Sequence, residues 1–301
     1  MNGILNVYKE AGWTSFDVVA KLRGILKTKK IGHGGTLDPQ VTGVLPIAVG
    51  KATRLLEYME ESGKVYEGEV TLGFSTETED AEGAVIEVTK VPTHLSEETI
   101  DTAMTKFLGE IQQIPPMYSA VKVKGKRLYE YARAGENVER PIRQVMIKEF
   151  VRTSPITFKE DCARFTFRVA CSKGTYVRTL AVDLAAALGY AGHMSKLQRT
   201  SANGLQIDDA LTLEQIEEYA KLEELGQILQ PKEVAVSDLP RVDLKSEQAE
   251  AVRVGKKFEL SDFENVDAEK KVALFYKEKL LAVYMKHPEK SGILKPHKVI
   301  N

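Results

Sequence analysis

Two cysteines in 301 residues, Cys162 and Cys171, are too few for a disulfide framework, and their spacing matches no zinc pattern. Two core or strand thiols in a reducing compartment are expected, which makes the cytoplasm the expected location. No apolar run approaches the ~18 residues that a membrane helix needs. The first ten residues have no basic n-region and only a short apolar patch, so a secretory leader is not expected. Internal repeats and low-complexity tracts are absent. Net charge is missing too: 42 basic residues against 43 acidic ones leave −1, which argues against an indiscriminate polyanion binder. What is present is an ordinary globular composition, 43% apolar and 28% charged, with length for one large domain or two unequal ones.

The neutral average hides segregation. From Glu57 to Ile100 there are twelve acidic residues against Lys64 and Lys90. From Arg164 to Arg199 six basic residues face Asp183 alone, and Ser119 to Glu149 holds eight basic residues against four acidic ones. Such segregation can build a local positive surface on a neutral molecule, to which a phosphate backbone responds. From charge alone, ordinary solvated faces are the simpler account.

Periodicity outlines the elements. Thr14 or Ser15 can cap a helix with Phe16, Val19, Leu22 and Leu26 at helical spacing. A Gly-rich stretch from Gly32 to Gly50 contains the turn-forming pair Asp38-Pro39. Ala52 to Met59 reads as a short helix, Val65 to Leu72 and Ala84 to Val88 as strands, and Ser96 caps a helix that stops near Gly109. Pro115-Pro116 marks a break, followed by a basic, tyrosine-bearing segment as far as Arg143. Arg164 to Cys171 alternates, with Phe165, Phe167, Val169 and Cys171 on one face of a half-buried strand. Gly174 opens a helix ending at Gly189, and Thr212 starts another that ends before Pro231. Beyond Pro231 short strand-like runs, Val272 to Phe275 and Leu280 to Tyr284, suggest a small β-rich appendage. Strands and helices mix without strict alternation, which indicates an α+β fold.

Chemistry concentrates in the run from Gly32 to Gly43. Four glycines in twelve residues let a ligand approach the backbone closely. A Walker loop is rejected, because six residues separate Gly43 from Gly50 and Lys51 is followed by Ala52. A plain turn, with Asp38 bonding its own backbone, stays open. So does a serine hydrolase, in which His33-Gly34-Gly35 supplies an oxyanion loop and Ser172 a nucleophile elbow, with Asp183 and His193 as partners. Against the hydrolase, Ala170 stands where the elbow has its first glycine, and the preceding strand alternates with Arg164 and Arg168 instead of being buried on both faces.

Several segments in one order resemble the TruB family of tRNA pseudouridine synthases. They are Gly32 to Pro39 with Thr42-Gly43-Val44-Leu45-Pro46, then Lys64-Val65-Tyr66, Pro115 to Ala120, Gly125 to Tyr129, Cys171 to Thr179, and His193 to Thr200. They span roughly the first two-thirds of the chain, and such a series is far more specific than any one motif. One departure is visible: the family's Lys-Pro near the N-terminus is Lys9-Glu10 here, ahead of Ala11 to Ser15.

The resemblance implies a mixed-sheet pseudouridine synthase core over residues 1–231, with an RNA-clasping insertion at about 117–143. A small PUA-like RNA-binding domain over 232–301 follows. The implied reaction turns uridine 55 of the tRNA T-loop into pseudouridine without a cofactor or metal. It breaks the ribose–uracil N1 bond, turns the base and rejoins it through C5. The resemblance assigns the essential carboxylate to Asp38 and its cationic partner to Arg178. An ionised Asp38 can attack C1′ or C6, or take a proton from C2′, and a buried one needs a cation to stay charged. Arg178 falls in the first turns of its helix, where the macrodipole disfavours a cation. Tyr66 is expected against the base, relaying the C5 proton, while Leu197 walls the pocket. Tyr176 lies in the matching motif on the substrate side, and His33 fills the space left by the flipped nucleotide. Lys122, Lys126, Arg127 and Arg143 are expected to meet phosphates. The expected partner is the T-arm stem-loop of tRNA, bound by a monomer without a membrane, protein partner or guide RNA. A tRNA-binding or refolding protein, with modification secondary, is the alternative from a non-enzyme class.

Overall fold

The structure is a computed structural model describing residues 1–263, 266–267 and 269–300. Among them, seven strands form the path of one mixed sheet, in the order Gly3–Lys9, Thr42–Val49, Gly192–Ala202, Lys64–Leu72, Cys162–Cys171, Arg143–Arg152 and Gly109–Gln113. Neighbours on that path pair antiparallel except where Gly192–Ala202 runs parallel to Thr42–Val49, at Gln198 with Thr42 and Arg199 with Gly43. At that crossing a Cβ on Gly43 would stand 2.2 Å from the Arg199 carbonyl oxygen, and φ is +106°, so only glycine fits.

Alternation predicts the central strand well. Phe165, Phe167, Val169 and Cys171 all point into the core, and Arg168 turns outward to Glu149. The strand expected from Val65 begins at Lys64, and the one expected from Ala84 is Val85–Val88. Ser96 caps Glu97–Thr105, and Thr212 caps Leu213–Lys221. The helix opened by Gly174 starts at Val177 and ends at Ala187, burying Leu180, Ala181 and Leu184. The stretch from Ala52 to Met59 divides into a 3₁₀ turn, Gly50–Leu55, and a short helix, Leu56–Glu61.

The first helix, Ser15–Ile25, departs from expectation. Thr14 caps it through Asp17, but Phe16 is 65% exposed while Val18, Val19 and Leu22 are buried. Ser15 takes the inward position because its hydroxyl accepts from the Leu37 amide at 2.9 Å, and that bond rotates the apolar stripe away from Phe16. The basic segment after Pro116 is also more ordered than composition suggests, with a tiny hairpin of Lys122–Val123 and Lys126–Arg127 leading into the helix Leu128–Ala134.

After Pro240 a second sheet, ordered Arg241–Asp243, Val272–Tyr276, Lys279–Lys286, Ile293–Val299 and Phe258–Glu259, curls around the helix Ser246–Arg253 with its own apolar core. Phe275, Leu280, Val283 and Ile300 pack against Val44, Ala48, Leu55 and Tyr58 of the larger unit. Polar contacts across this seam include Tyr58 Oη with His297 Nδ1 at 2.6 Å and Lys271 with Glu61 at 3.0 Å. Among the described residues no helix is long and apolar enough to cross a membrane.

Candidate active site

The loop carrying Asp38 leaves the short strand Ile31–His33 and is held chiefly through its backbone. Ser15 Oγ brackets Leu37, accepting from its amide and donating to its carbonyl. Lys9 Nζ, fully buried, donates to the carbonyls of Trp13 (2.6 Å), Pro39 (2.8 Å) and Glu10 (3.1 Å). Arg199, also fully buried, donates to Val44, Gly35 and Thr36 carbonyls at 2.7, 3.2 and 3.5 Å. Two cations from distant strands therefore fix the loop on both sides of Asp38. Glu10 contributes only its carbonyl to this arrangement, so the replacement of the family's proline leaves Lys9 in place.

Arg178 reaches the Asp38 carboxylate at 2.9 Å and Asp80 at 3.6 Å, and donates to the carbonyls of Thr78 and Tyr118, each at 3.0 Å. Its side chain is 7% exposed, whereas that of Asp38 is 45% exposed. This corrects the premise of a buried aspartate rescued by a cation. The contact with Arg178 fixes the direction of the carboxylate. The unfavourable position near the start of its helix is outweighed by two carboxylates and two carbonyls, a stronger set than the macrodipole.

Asp38, Arg178, Tyr66, Leu197, Tyr176 and Arg143 all line one cavity of about 850 Å³, with Lys64, Ser172 and Arg199 also in its wall. Strand register explains the floor: Leu197 and Arg199 lie two apart on one strand, and Tyr66 pairs with Arg199 across the ladder. Burial pushes the Tyr66 phenol up, the neighbouring Arg199 charge acting the other way, so Tyr66 is protonated at neutral pH. Burial also raises Tyr176. Burial brings Lys9 down to about 8, against the pull of Asp38, and Lys64 down to about 8 with Arg199 adding to the effect.

The other expected residues lie outside this wall. His33 is half-buried on its strand, its Nδ1 has no hydrogen-bond partner among the described residues, and burial lowers its pKa. Lys122, Lys126 and Arg127 sit on the insertion's hairpin, Lys126 paired with Glu136 at 2.9 Å and Arg127 donating to Tyr129 Oη at 2.8 Å. Lys9, Lys64, Asp80 and Arg199 were not singled out from the sequence. Lys9, Lys64 and Arg199 fall in the family-like segments, and Arg199 also shares a face with Leu197 by period two.

Ser172 lines the cavity without a hydrolase's partners. Its hydroxyl accepts from the Met146 amide at 2.9 Å, and His193 is 2% exposed with Nδ1 on the Phe74 carbonyl. The strand before Ser172 is antiparallel to both neighbours, unlike a hydrolase elbow strand. Among the described residues no cluster of His, Cys, Asp and Glu could hold a metal ion.

The mixed sheet thus brings Asp38, its Arg178 partner and Tyr66 to one cavity. Residues 23–177 match the model of the TruB family pseudouridylate synthase N-terminal domain, and residues 178–237 that of the tRNA pseudouridylate synthase B C-terminal domain. A tRNA pseudouridine synthase B of Lactococcus lactis subsp. cremoris is 64% identical, covering 100% of this chain and 98% of that protein. One of Streptococcus sanguinis is 60% identical over 99% of each. Among solved structures, a chain of a Cbf5-Nop10-Gar1 complex superposes with a TM-score of 0.76 at 29% identity, covering 99% of this chain and 85% of that one. A chain of an H/ACA RNP bound to a substrate RNA containing 2′-deoxyuridine gives 0.72 at 27% identity, with coverage of 99% and 85%. The chain belongs to the TruB family of pseudouridine synthases.

Proposed function

We propose that this chain isomerises uridine 55 in the T-loop of tRNA to pseudouridine, with Asp38 as the catalytic carboxylate. The names of its relatives support tRNA as the substrate. The observation that carries the role of Asp38 is the 2.9 Å ion pair with Arg178 at the edge of a cavity floored by Tyr66 and Leu197. In the reaction the C1′–N1 bond breaks, the base turns, C1′ joins C5, and the C5 proton leaves while N1 gains one. Attack at C1′, attack at C6 and removal of the C2′ proton all require an ionised carboxylate aimed from one side, which Arg178 provides. The Tyr66 ring faces the uracil, and its hydroxyl relays the C5 proton by passing its own proton to water as it takes up the one from C5.

The uridine must leave its stack, at a cost of a few kcal/mol, and His33 fills the vacated space. Tyr176 and Arg143 hold the flipped nucleotide, and the insertion at 117–143 closes over the RNA through Lys122, Lys126 and Arg127. In this reading residues 1–231 are the catalytic domain and 232–301 the RNA-binding domain, of which Glu264, Asn265, Ala268 and Asn301 lie outside the described residues. The enzyme acts in the cytoplasm as a monomer, without a cofactor, protein partner or guide RNA. The test is incubation with an unmodified tRNA transcript, followed by mapping of pseudouridine. Product at nucleotide 55 is expected, and product elsewhere or none overturns the proposal.

A further inference from the structure

The helix Ser15–Ile25 ends in a basic tip that the pocket does not use. Between Asp17 and Asp38 the chain carries Lys21, Arg23, Lys27, Lys29 and Lys30 and no acidic residue. Lys21 is paired with Glu217 at 3.5 Å. Arg23, Lys27, Lys29 and Lys30 are exposed, and among the described residues none has a carboxylate within 4.0 Å. The first three line a surface depression of about 660 Å³ with Gly24 and Thr28. Exposed Phe16 lies beside it, its ring 5.9 Å from the Arg23 guanidinium. Lys27 takes a φ of 49°, a left-handed conformation uncommon for a residue with a side chain, and the turn continues with the Thr28 hydroxyl accepting from the Lys30 amide.

The helix macrodipole accounts for cations at the helix's C-terminal end. It does not account for Lys29 and Lys30, which lie past the last turn, or for the exposed Phe16 ring beside Arg23. Four cations without protein carboxylates make a local positive patch that attracts an extended polyanion, and an exposed ring beside Arg23 suits nucleic acid better than a small anion. The location also fits a long ligand. On one side the strand Ile31–His33 leads directly into the Asp38 loop, so that Lys29 stands no more than ~20 Å from Gly35 at ~3.3 Å per residue. On the other, the Lys30 carbonyl accepts from the Gly50 amide, and the turn that follows reaches the C-terminal unit, Arg54 donating to the Val299 carbonyl.

We propose that this tip is a phosphate-binding surface for the RNA substrate, engaging its backbone away from the flipped uridine on the path between the pocket and the C-terminal unit. The proposal rests on the reading of the chain as a tRNA-modifying enzyme. It is tested with Lys27→Asn/Lys29→Gln, in which asparagine keeps the left-handed backbone of residue 27, and with Lys29→Gln alone should the double variant fold poorly. Lys21→Gln, on the same helix but already paired with Glu217, is the control, matched in charge to Lys29→Gln. Affinity for an unmodified tRNA transcript is measured by filter binding from about 50 to 200 mM salt, beside kcat and KM for pseudouridine formation. In the double variant Kd and KM rise about tenfold, the log–log salt slope becomes shallower by about 1.5, and kcat is unchanged. Lys29→Gln shows about half that change in slope, and Lys21→Gln stays within about twofold of wild type. Wild-type affinity and slope in the tip variants, or an equal loss in Lys21→Gln, overturn the proposal. If the wild-type protein makes no pseudouridine on this transcript, the functional reading fails separately, while the binding curves still decide the tip.

Discussion

The pocket and the insertion are both rich in positive charge, and they use it in different ways. At the pocket and beneath its loop, Lys9, Arg178 and Arg199 are buried, and most of their donors go to backbone carbonyls of the loop and its neighbours. In the insertion, Lys126 and Arg127 lie at the surface, on the rings of Tyr131 and Tyr129 and against Glu136. Exposed pairs of that kind are worth ~0–1 kcal/mol and exchange easily for a phosphate. A buried cation that closes several carbonyls cannot be released without leaving those acceptors unpaired, at ~1–3 kcal/mol each. The lesson is that burial, more than the number of cations, separates charge that shapes the protein from charge that can meet RNA.

The contrast is sharpest at the reacting centre. Asp38→Asn keeps the size of the side chain and removes its negative charge, so turnover should fall on the order of 10⁴-fold while affinity for tRNA holds. Undiminished product would end the case for Asp38. Arg178→Lys keeps the charge but cannot span two carboxylates and two carbonyls. It should lower kcat by about 10²-fold with little change in KM, and an effect on KM alone would place Arg178 among RNA contacts. In the insertion the pattern reverses. Lys122→Gln/Arg127→Gln should raise KM by roughly three- to tenfold, flatten its salt dependence and leave kcat in place.

Stability offers another contrast, because burial displaces the titration of Lys9 and Lys64. Lys9 and Lys64 hold their protons less tightly folded, at about 8, than in the unfolded chain, where the ordinary lysine value of 10.5 applies. Between those values the unfolded state binds more protons, so their contribution to stability rises with pH from about 8 towards 10. Urea unfolding of Lys64→Met across that range should show a flatter rise than wild type. An unchanged slope would mean that Lys64 keeps its ordinary affinity for protons. The smallest effect is expected from Ser172→Ala, whose hydroxyl accepts from the Met146 amide and donates weakly to the Lys173 carbonyl. Pseudouridine formation should stay within about twofold, with no more than ~1 kcal/mol lost, and abolished turnover would reopen a nucleophilic role for that serine.

Much of this was legible before any coordinates. Alternation located the Phe165–Cys171 face, and caps at Thr14, Ser96 and Thr212 marked three helix starts, because these signals act between residues close in the chain. Phe16 misled because the hydrogen bonds between the Ser15 hydroxyl and the Leu37 backbone outweigh an apolar pattern at the end of a helix. Lys9 and Lys64 stayed hidden because a lysine that will be buried looks the same in sequence as one that will be solvated. What separates them is a set of carbonyls assembled from elsewhere.

The sequence by itself determined the family, the α+β class, and which aspartate, tyrosine and arginine belong together, since these are carried by residue identity in ordered motifs. Only the tertiary structure decided how they work together. It left Asp38 half in water and Arg178 out of it, and gave that arginine a second carboxylate in Asp80. It also seated the loop on Lys9 and Arg199, which approach from strands far away in the chain. The physical reason is that a side chain's exposure and its distant hydrogen-bond partners are set by how the strands pack, which local pattern does not specify.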